Sequence, residues 1–303
     1  MLHDRATKNS VINQVLSNAN GIGESKLEAQ RSSGIKGQNG QAVSSKAHSI
    51  ASMQNLRTVT TQFTNFVNDN YTGKPLKNMD KDSAREWINK KIEEGTSLPT
   101  INTYISDLGK IADNLKQLGQ DGLARADIHD LRRELIGEHG TLQSDKIDRT
   151  NNDPQAIVQK MNDDTPFGLS ASLQLEAGLR VDDSINIDKL HLKEDNTIHV
   201  IGSKNGLSYT TAPISENLAE KLLSHQEAGY KAGYTEYKDS MKEVVISLGQ
   251  EWRGTHSLRY DYANTEHEKN LIEGMTPTES KYKISSEMGH TRPDITEHYL
   301  KDN

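Results

Sequence analysis

From about residue 48 to 140, apolar positions recur at threes and fours, a spacing that predicts amphipathic helices. Ile50, Met53, Leu56, Val59 and Phe63 mark the first. A second runs near Ser83 to Glu94 with Trp87 and Ile88 as anchors. A third follows Leu98-Pro99-Thr100, where Ile101, Tyr104, Leu108, Ile111 and Leu115 form a stripe, and a fourth spans about Ala126 to Ile136 and closes near Gly137. Four such helices make an all-α module. Ahead of it, residues 1–47 offer one short helix around Val11, Ile12 and Val15 and then turn rich in Gly, Ser, Gln and Asn. That composition predicts a flexible, weakly basic N-terminal arm. Behind it, residues 141–153 are polar and without periodicity, as expected of a linker.

The pattern changes beyond residue 154. A helix covers roughly 165–177 and stops at Gly178. Three strand-like runs follow, 187–192, 196–202 and 207–212, with Asp195-Asn196 and Asn205-Gly206 as turn signals between them. After 215 the chain is helical again. Ser257 to Glu273 reads as a helix with Thr255 as N-cap and Gly274 at its end. The next helix starts on Thr276, with Pro277 at its first position and Glu279 completing a capping box, and stops at Gly289. Pro293 opens a last short helix that carries Tyr299. The fold class expected is mainly α with a small antiparallel β-sheet: an all-α domain at 48–140 and an α+β domain at 154–303.

Composition narrows the picture. The 303 residues suffice for two domains, each with its own core. No apolar run approaches the roughly 20 residues of a membrane span, and the first residues lack a secretory signal, so a cytoplasmic protein is expected. With no cysteine, disulfides, thiolate metal sites and a cysteine nucleophile are excluded. The net charge of -7 sets a condition on any nucleic-acid partner. Residues 151–303 carry 16 Lys and Arg against 25 Asp and Glu, so a DNA-binding surface there needs its cations gathered on one face. Lys204, Arg253, Arg259, Lys281, Lys283 and Arg292 are the residues expected to supply it. In the first domain, Lys90, Lys91, Arg132 and Arg133 could meet phosphates or simply face solvent.

Five polar residues occupy positions that packing alone does not ask for. Arg180 emerges just after the helix end at Leu175-Glu-Ala-Gly-Leu179. His256 and Arg259, three apart, share one face at the start of a helix. His290 follows the helix-ending Gly289, and Tyr299 comes nine residues later. Phosphoryl transfer asks for these residue types together. Guanidinium groups clamp the charge that develops on non-bridging oxygens, imidazoles donate to those oxygens or shuttle a proton, and a phenol can serve as nucleophile. Lys204, at a hairpin turn in Val200-Ile-Gly-Ser-Lys-Asn-Gly206, could protonate a leaving oxygen. The alternatives are ion pairs of Arg180 and Arg259 with Asp182 or Glu266, and a metal site joining His256 and His290 to His267 and His298. The latter lacks a His-x-x-x-His pair or a supporting carboxylate cluster.

These residues resemble the tyrosine recombinases, the family of phage integrases and Xer-type recombinases. Leu175-Glu-Ala-Gly-Leu-Arg180 is similar to the segment with the family's first catalytic arginine, and Asp183 matches its acidic position. Ile201-Gly-Ser-Lys204 resembles the hairpin with the catalytic lysine, His256-Ser-Leu-Arg259 the His-x-x-Arg box, and Met288-Gly-His290 followed by Tyr299 the Gly-His-to-tyrosine spacing. The matches span about 165–303 in the family's order. The resemblance implies a core-binding domain at 48–140 and a catalytic domain at 154–303, with Arg180, Asp183, Lys204, His256, Arg259, His290 and Tyr299 as site residues. It also implies double-stranded DNA as partner, a homotetramer on synapsed DNA, and no cofactor or metal. The ending Arg292-Pro-Asp-Ile-Thr-Glu-His-Tyr-Leu300 is most similar to integrases of mobile elements; a Xer-like dimer resolvase and a catalytically idle DNA-binding protein are the competing readings.

Overall fold

An amphipathic stripe needs a partner face, and the first-half helices supply one another with theirs. The computed structural model describes residues 6–143, 148–290 and 292–301, and the chain divides into two units, residues 1–145 and 146–303. The first holds α1 (Lys8–Asn18), α2 (Lys26–Ser32), α3 (Ile50–Asn70), α4 (Lys81–Glu93), α5 (Leu98–Gln117) and α6 (Arg125–His139). The four expected helices are α3 to α6. Their stripes merge into one core around Leu56, Phe63, Trp87, Ile105, Leu108 and Leu131. Trp87 packs between Phe63 and Tyr104, with ring centroids 5.6 and 5.5 Å away. Starts are set by side-chain caps: Ser49 accepts from the Ser52 amide, and Asp80 with Ser83 closes a capping box. Ile50 departs from its expected place in the stripe. It is the first residue after the Ser49 cap and stays 66% exposed, while the buried face of α3 runs on to Val67.

The expectation of a flexible arm over 1–47 does not describe this segment. Val11 and Val15 of α1 are fully buried in the same core, and Asn18 donates to Asn114 of α5 at 2.8 Å. A parallel bridge joins Asn20 to Ala47, so the Gly- and Ser-rich stretch forms a return loop between two anchored ends. Periodicity registered α1, but the loop's composition hid its anchors. Residues 1–5 of that expected arm, and 144–147 of the expected linker, lie outside the described residues.

The second unit holds α7 (Pro154–Met161), α8 (Pro166–Ala177), α9 (Val181–Ile185), β1 (Leu190–Leu192), β2 (Ile198–Val200), β3 (Tyr209–Thr210), α10 (Glu216–Glu227), α11 (Tyr234–Ser247), α12 (Ser257–Ile272), α13 (Pro277–Glu287) and α14 (Pro293–Glu297). The chain is mainly α with one small antiparallel sheet, in the order β1-β2-β3 with Leu190 opposite Val200 and Val200 opposite Tyr209. The strands are shorter than expected, because 187–189 and 204–206 form 3-10 turns. Helix α8 is buried nearly all round, as a central helix must be to serve two cores. Leu169, Leu173 and Ala177 pack with the sheet, and Ala171 packs with Ile157, Tyr237 and Met241 of α7 and α11. Beyond the undescribed part of the linker, Asn151 is buried and donates through its main chain and side chain to Asp261 of α12. Among the described residues no helix is long and apolar enough to cross a membrane.

Candidate active site

Two glycines that end helices create the site. Helix α8 closes on Gly178 in the left-handed conformation, φ +59°, and α13 is followed by Gly289 at φ +63°. A β-carbon at Gly178 would strike the Tyr262 ring, and one at Gly289 the Tyr209 ring. Glycine is required at both on steric as well as conformational grounds. Each turn delivers a side chain to the same place, Arg180 from the first and His290 from the second.

Arg259 lies between these turns on the first coil of α12 and is fully buried. Its Nη1 donates to the Gly178 carbonyl, and its Nη2 donates to the Met288 carbonyl at 2.8 Å and to His290 Nε2 at 2.9 Å. Arg180, 17% exposed, donates to the Gly289 carbonyl at 2.8 Å and to Ser203 Oγ at 3.2 Å. Asp183 is the expected acidic residue, and it is buried beside Arg180 at 3.8 Å. Ser203 Oγ donates to it at 2.6 Å and the Tyr209 hydroxyl at 3.4 Å. Its contacts hold the arginine and the hairpin rather than open onto solvent.

The partners fix the tautomer of His290. Because Nε2 accepts from Arg259, the ring proton sits on Nδ1 and is donated to Thr296 Oγ1 at 2.9 Å. Burial, reinforced by the charges of Arg259 and Arg180, holds the His290 pKa down to about 3. The same causes, with smaller contributions from Lys204 and Arg149, hold His256 to about 4. Both imidazoles are therefore neutral near pH 7. His256, rather than the expected Thr255, is the N-cap residue of α12, and its side chain makes no capping bond.

Tyr299 follows α14 and is half-buried. Its ring centroid lies 5.2 Å from that of His290 and 4.5 Å from that of Tyr260, with the Arg259 guanidinium 5.4 Å away. Among the described residues its phenol oxygen makes no hydrogen bond. Lys204 sits exposed in the 3-10 turn between β2 and β3, and it too has no ion pair among the described residues. Arg180, Asp183, Arg259, His290 and Tyr299 are thus linked by direct contacts, with His256 at the head of α12 beside them.

Sequence reasoning missed Ser203, Tyr209, Thr296, Tyr260 and Asn264. Tyr260 and Asn264 carried a signal, since His256, Tyr260 and Asn264 are spaced by fours and share one face of α12. Three of the cations expected to supply a DNA-binding face have carboxylate partners. Arg253 pairs with Glu251 and Asp148, Lys281 with Glu297 at 2.9 Å, and Arg292 with Asp294.

Three buried polar atoms at the site, Arg259 Nε, His256 Nδ1 and Asp183 Oδ1, have no partner among the described residues. An unpaired buried donor is costly in an isolated protein, and an anion is what two guanidiniums and two neutral imidazoles can bind together. A phenol adjoining such an anion is placed for phosphoryl chemistry.

No family model matches the sequence, and no curated protein does. Solved structures do. The XerH site-specific recombinase bound to its difH substrate superposes with a TM-score of 0.64 at 13% identity, covering 100% of this chain and 95% of that one. A lambda integrase dimer on a COC' core site gives 0.57 at 16%, covering 97% and 77%. The Tn1549 transposon integrase with circular intermediate DNA gives 0.55 at 13%, covering 96% and 95%. Over nearly all of its length this chain shares the fold of these recombinase and integrase structures.

Proposed function

We propose that the chain is a site-specific DNA recombinase, the integrase of a mobile element, acting through a covalent 3′-phosphotyrosine at Tyr299. The phenol oxygen of Tyr299 attacks the backbone phosphorus as the bond to the 5′ oxygen breaks. Arg180 and Arg259 hold the non-bridging oxygens, and His290, its proton on Nδ1, steadies Arg259 through Nε2. His256, neutral and with Nδ1 unpaired, accepts the phenol proton, and Lys204 protonates the departing 5′ hydroxyl. Asp183 keeps Arg180 and the hairpin in place. The phosphotyrosine conserves the energy of the broken bond, so religation by the reverse steps needs no nucleotide. One observation carries this reading: Tyr299 lies against both His290 and Arg259, whose guanidinium shares the Gly289 turn with Arg180.

A nicked duplex built from the DNA flanking the gene tests it, since a cut there traps the adduct. The wild-type chain should yield a protein–DNA band that survives denaturation. Tyr299→Phe should lose that band while retaining DNA binding. An adduct persisting in the variant, or none from the wild type on any flanking fragment, overturns the assignment.

A second reading, resolution of replicon dimers, gains from one observation. Helix α1 is packed into the first unit's core rather than extending as a separate arm. Recombination between two copies of a site from the host replicon, against sites at the element's ends, separates the two.

A further inference from the structure

Tyr299 lies beyond the end of α14, a helix of only five residues, to which its amide is tied by a bond to the Thr296 carbonyl. Further anchors come from α12. Asn264 donates from Nδ2 to the Tyr299 carbonyl at 2.8 Å, and its Oδ1 accepts from the Lys301 amide at 2.8 Å. The other bond of Nδ2 goes back to the Tyr260 carbonyl at 2.8 Å. Between the two anchored residues, Leu300 is buried against Tyr262, Ala263, Ile284 and Met288. Three successive residues are thereby pinned: the carbonyl of 299, the side chain of 300 and the amide of 301. The Tyr260 ring, one turn before Asn264, lies against the Tyr299 ring at 4.5 Å, and the Arg149 guanidinium lies 6.0 Å from the Tyr260 ring.

We propose that Asn264, assisted by Tyr260, is the positioning residue that holds the Tyr299 phenol in register with Arg259 and His290. This rests on the reading of Tyr299 as nucleophile. Asparagine is the side chain this task selects. Asp has the acceptor for Lys301 but no donor for Tyr299, Gln adds a methylene that displaces both bonds, and Ala leaves two main-chain groups to water. With the backbone pinned, the phenol moves only through its own side-chain torsions, and a reacting oxygen displaced by even 1 Å loses roughly 10²-fold in rate.

The test compares Asn264→Ala, Asn264→Asp, Tyr260→Ala and Tyr260→Phe in the full chain on the nicked flanking duplex. Asn264→Ala should bind DNA with unchanged half-saturation yet form adduct at saturating protein at least about tenfold more slowly. Its Lys301 amide should exchange with solvent faster. Asn264→Asp should keep Lys301 protected and still cleave slowly. Tyr260→Phe, which retains the ring stack, should recover the rate lost in Tyr260→Ala. Wild-type cleavage in both Asn264 variants, or a rate that falls only in step with DNA affinity and melting temperature, overturns the proposal. If Asn264→Ala does not fold, Asn264→Asp alone decides. Absence of any adduct from the wild type instead defeats the nucleophile reading, and amide exchange at Lys301 still decides whether the clamp exists.

Discussion

The two units bury different things. Residues 1–145 bury one continuous apolar cluster in which Trp87, Phe63 and a row of isoleucines and leucines meet. Residues 146–303 divide their apolar residues among three smaller clusters and bury Arg259, Asp183, Asp261, His267 and Asn270 between them. The first arrangement is the less costly one, since apolar surface needs no partner and stabilises by about 25 cal/mol per Å² removed from water. The second requires a partner for nearly every polar atom it covers. Among the described residues, those that lack one include Arg259 Nε, His256 Nδ1 and Asp183 Oδ1 at the site, and others at Asn151, Ser172, Gln174, His225 and Ser257. The second unit therefore depends more on completed hydrogen bonds than the first.

The largest test of that contrast is Arg259→Ala. It removes the donor to the Gly178 and Met288 carbonyls and to His290 at once. DNA cleavage should slow by about 10²–10³-fold, the usual cost of deleting a preorganised donor to a developing negative charge. The fold should lose about 1–3 kcal/mol for the acceptors left unpaired. Arg180→Ala should match it in rate but cost less stability, because that side chain satisfies a single carbonyl and keeps some contact with water. Adduct formation in single turnover and urea midpoints measure the two effects. Equal stability losses would mean that the carbonyl partners of Arg259 are not what supports this region.

In the first unit Trp87→Ala should destabilise by about 3–5 kcal/mol through the cavity it leaves. The chain has two tryptophans, one in each unit. The variant's remaining fluorescence then reports Trp252 alone, while helical circular dichroism follows both units. The comparison predicts an early loss of helix with an unmoved Trp252 transition. A Trp252 transition that moves with it would break the contrast by making one cooperative body of the two.

A further test is in pH. His256 and His290 have pKa values held to about 4 and about 3, against about 6.5 when unfolded. Below about 6.5 the unfolded chain takes up protons that the folded imidazoles refuse, so stability falls as pH drops toward 4. Asp261 acts in the opposite sense. Burial raises its pKa to about 6, so its contribution is complete below about 3.9 and is lost as pH rises through about 6. Replacing both histidines with glutamine should flatten the fall in urea midpoint between pH 6.5 and 4. An unchanged slope would show that these imidazoles do not carry it.

The same difference explains what was legible in the sequence. Helices α3, α4, α5 and α6 were readable because their buried faces are apolar stripes, and α13 because Thr276, Pro277 and Glu279 spell out its start. Helix α12 buries His267, Asn270, Asp261 and Arg259 along with Leu258 and Ala263, so only motif spacing, not periodicity, exposed its role. Arg180, Arg259, His290 and Tyr299 could be named because their order along the chain is distinctive. Their partners Ser203 and Thr296 could not, since short polar residues acquire meaning only through tertiary contact, and Asn264 carried no more than its spacing from His256. The anchoring of α1 was hidden for a related reason. Val11, Val15, Leu16 and the bonds of Asn18 to Asn114 and Gln117 hold it, and a glycine-rich loop separates them from the residue where the chain returns.

Both arginines are held by main-chain carbonyls, those of Gly178, Met288 and Gly289. A carbonyl is present whatever side chain its residue bears. The scaffold of the site is therefore written largely in atoms that mutation leaves in place. Neighbouring side chains can turn over across generations without loosening either guanidinium, provided the two glycine turns and the two arginines persist. Substitution at Met288, for one, would leave in place the carbonyl that Arg259 holds.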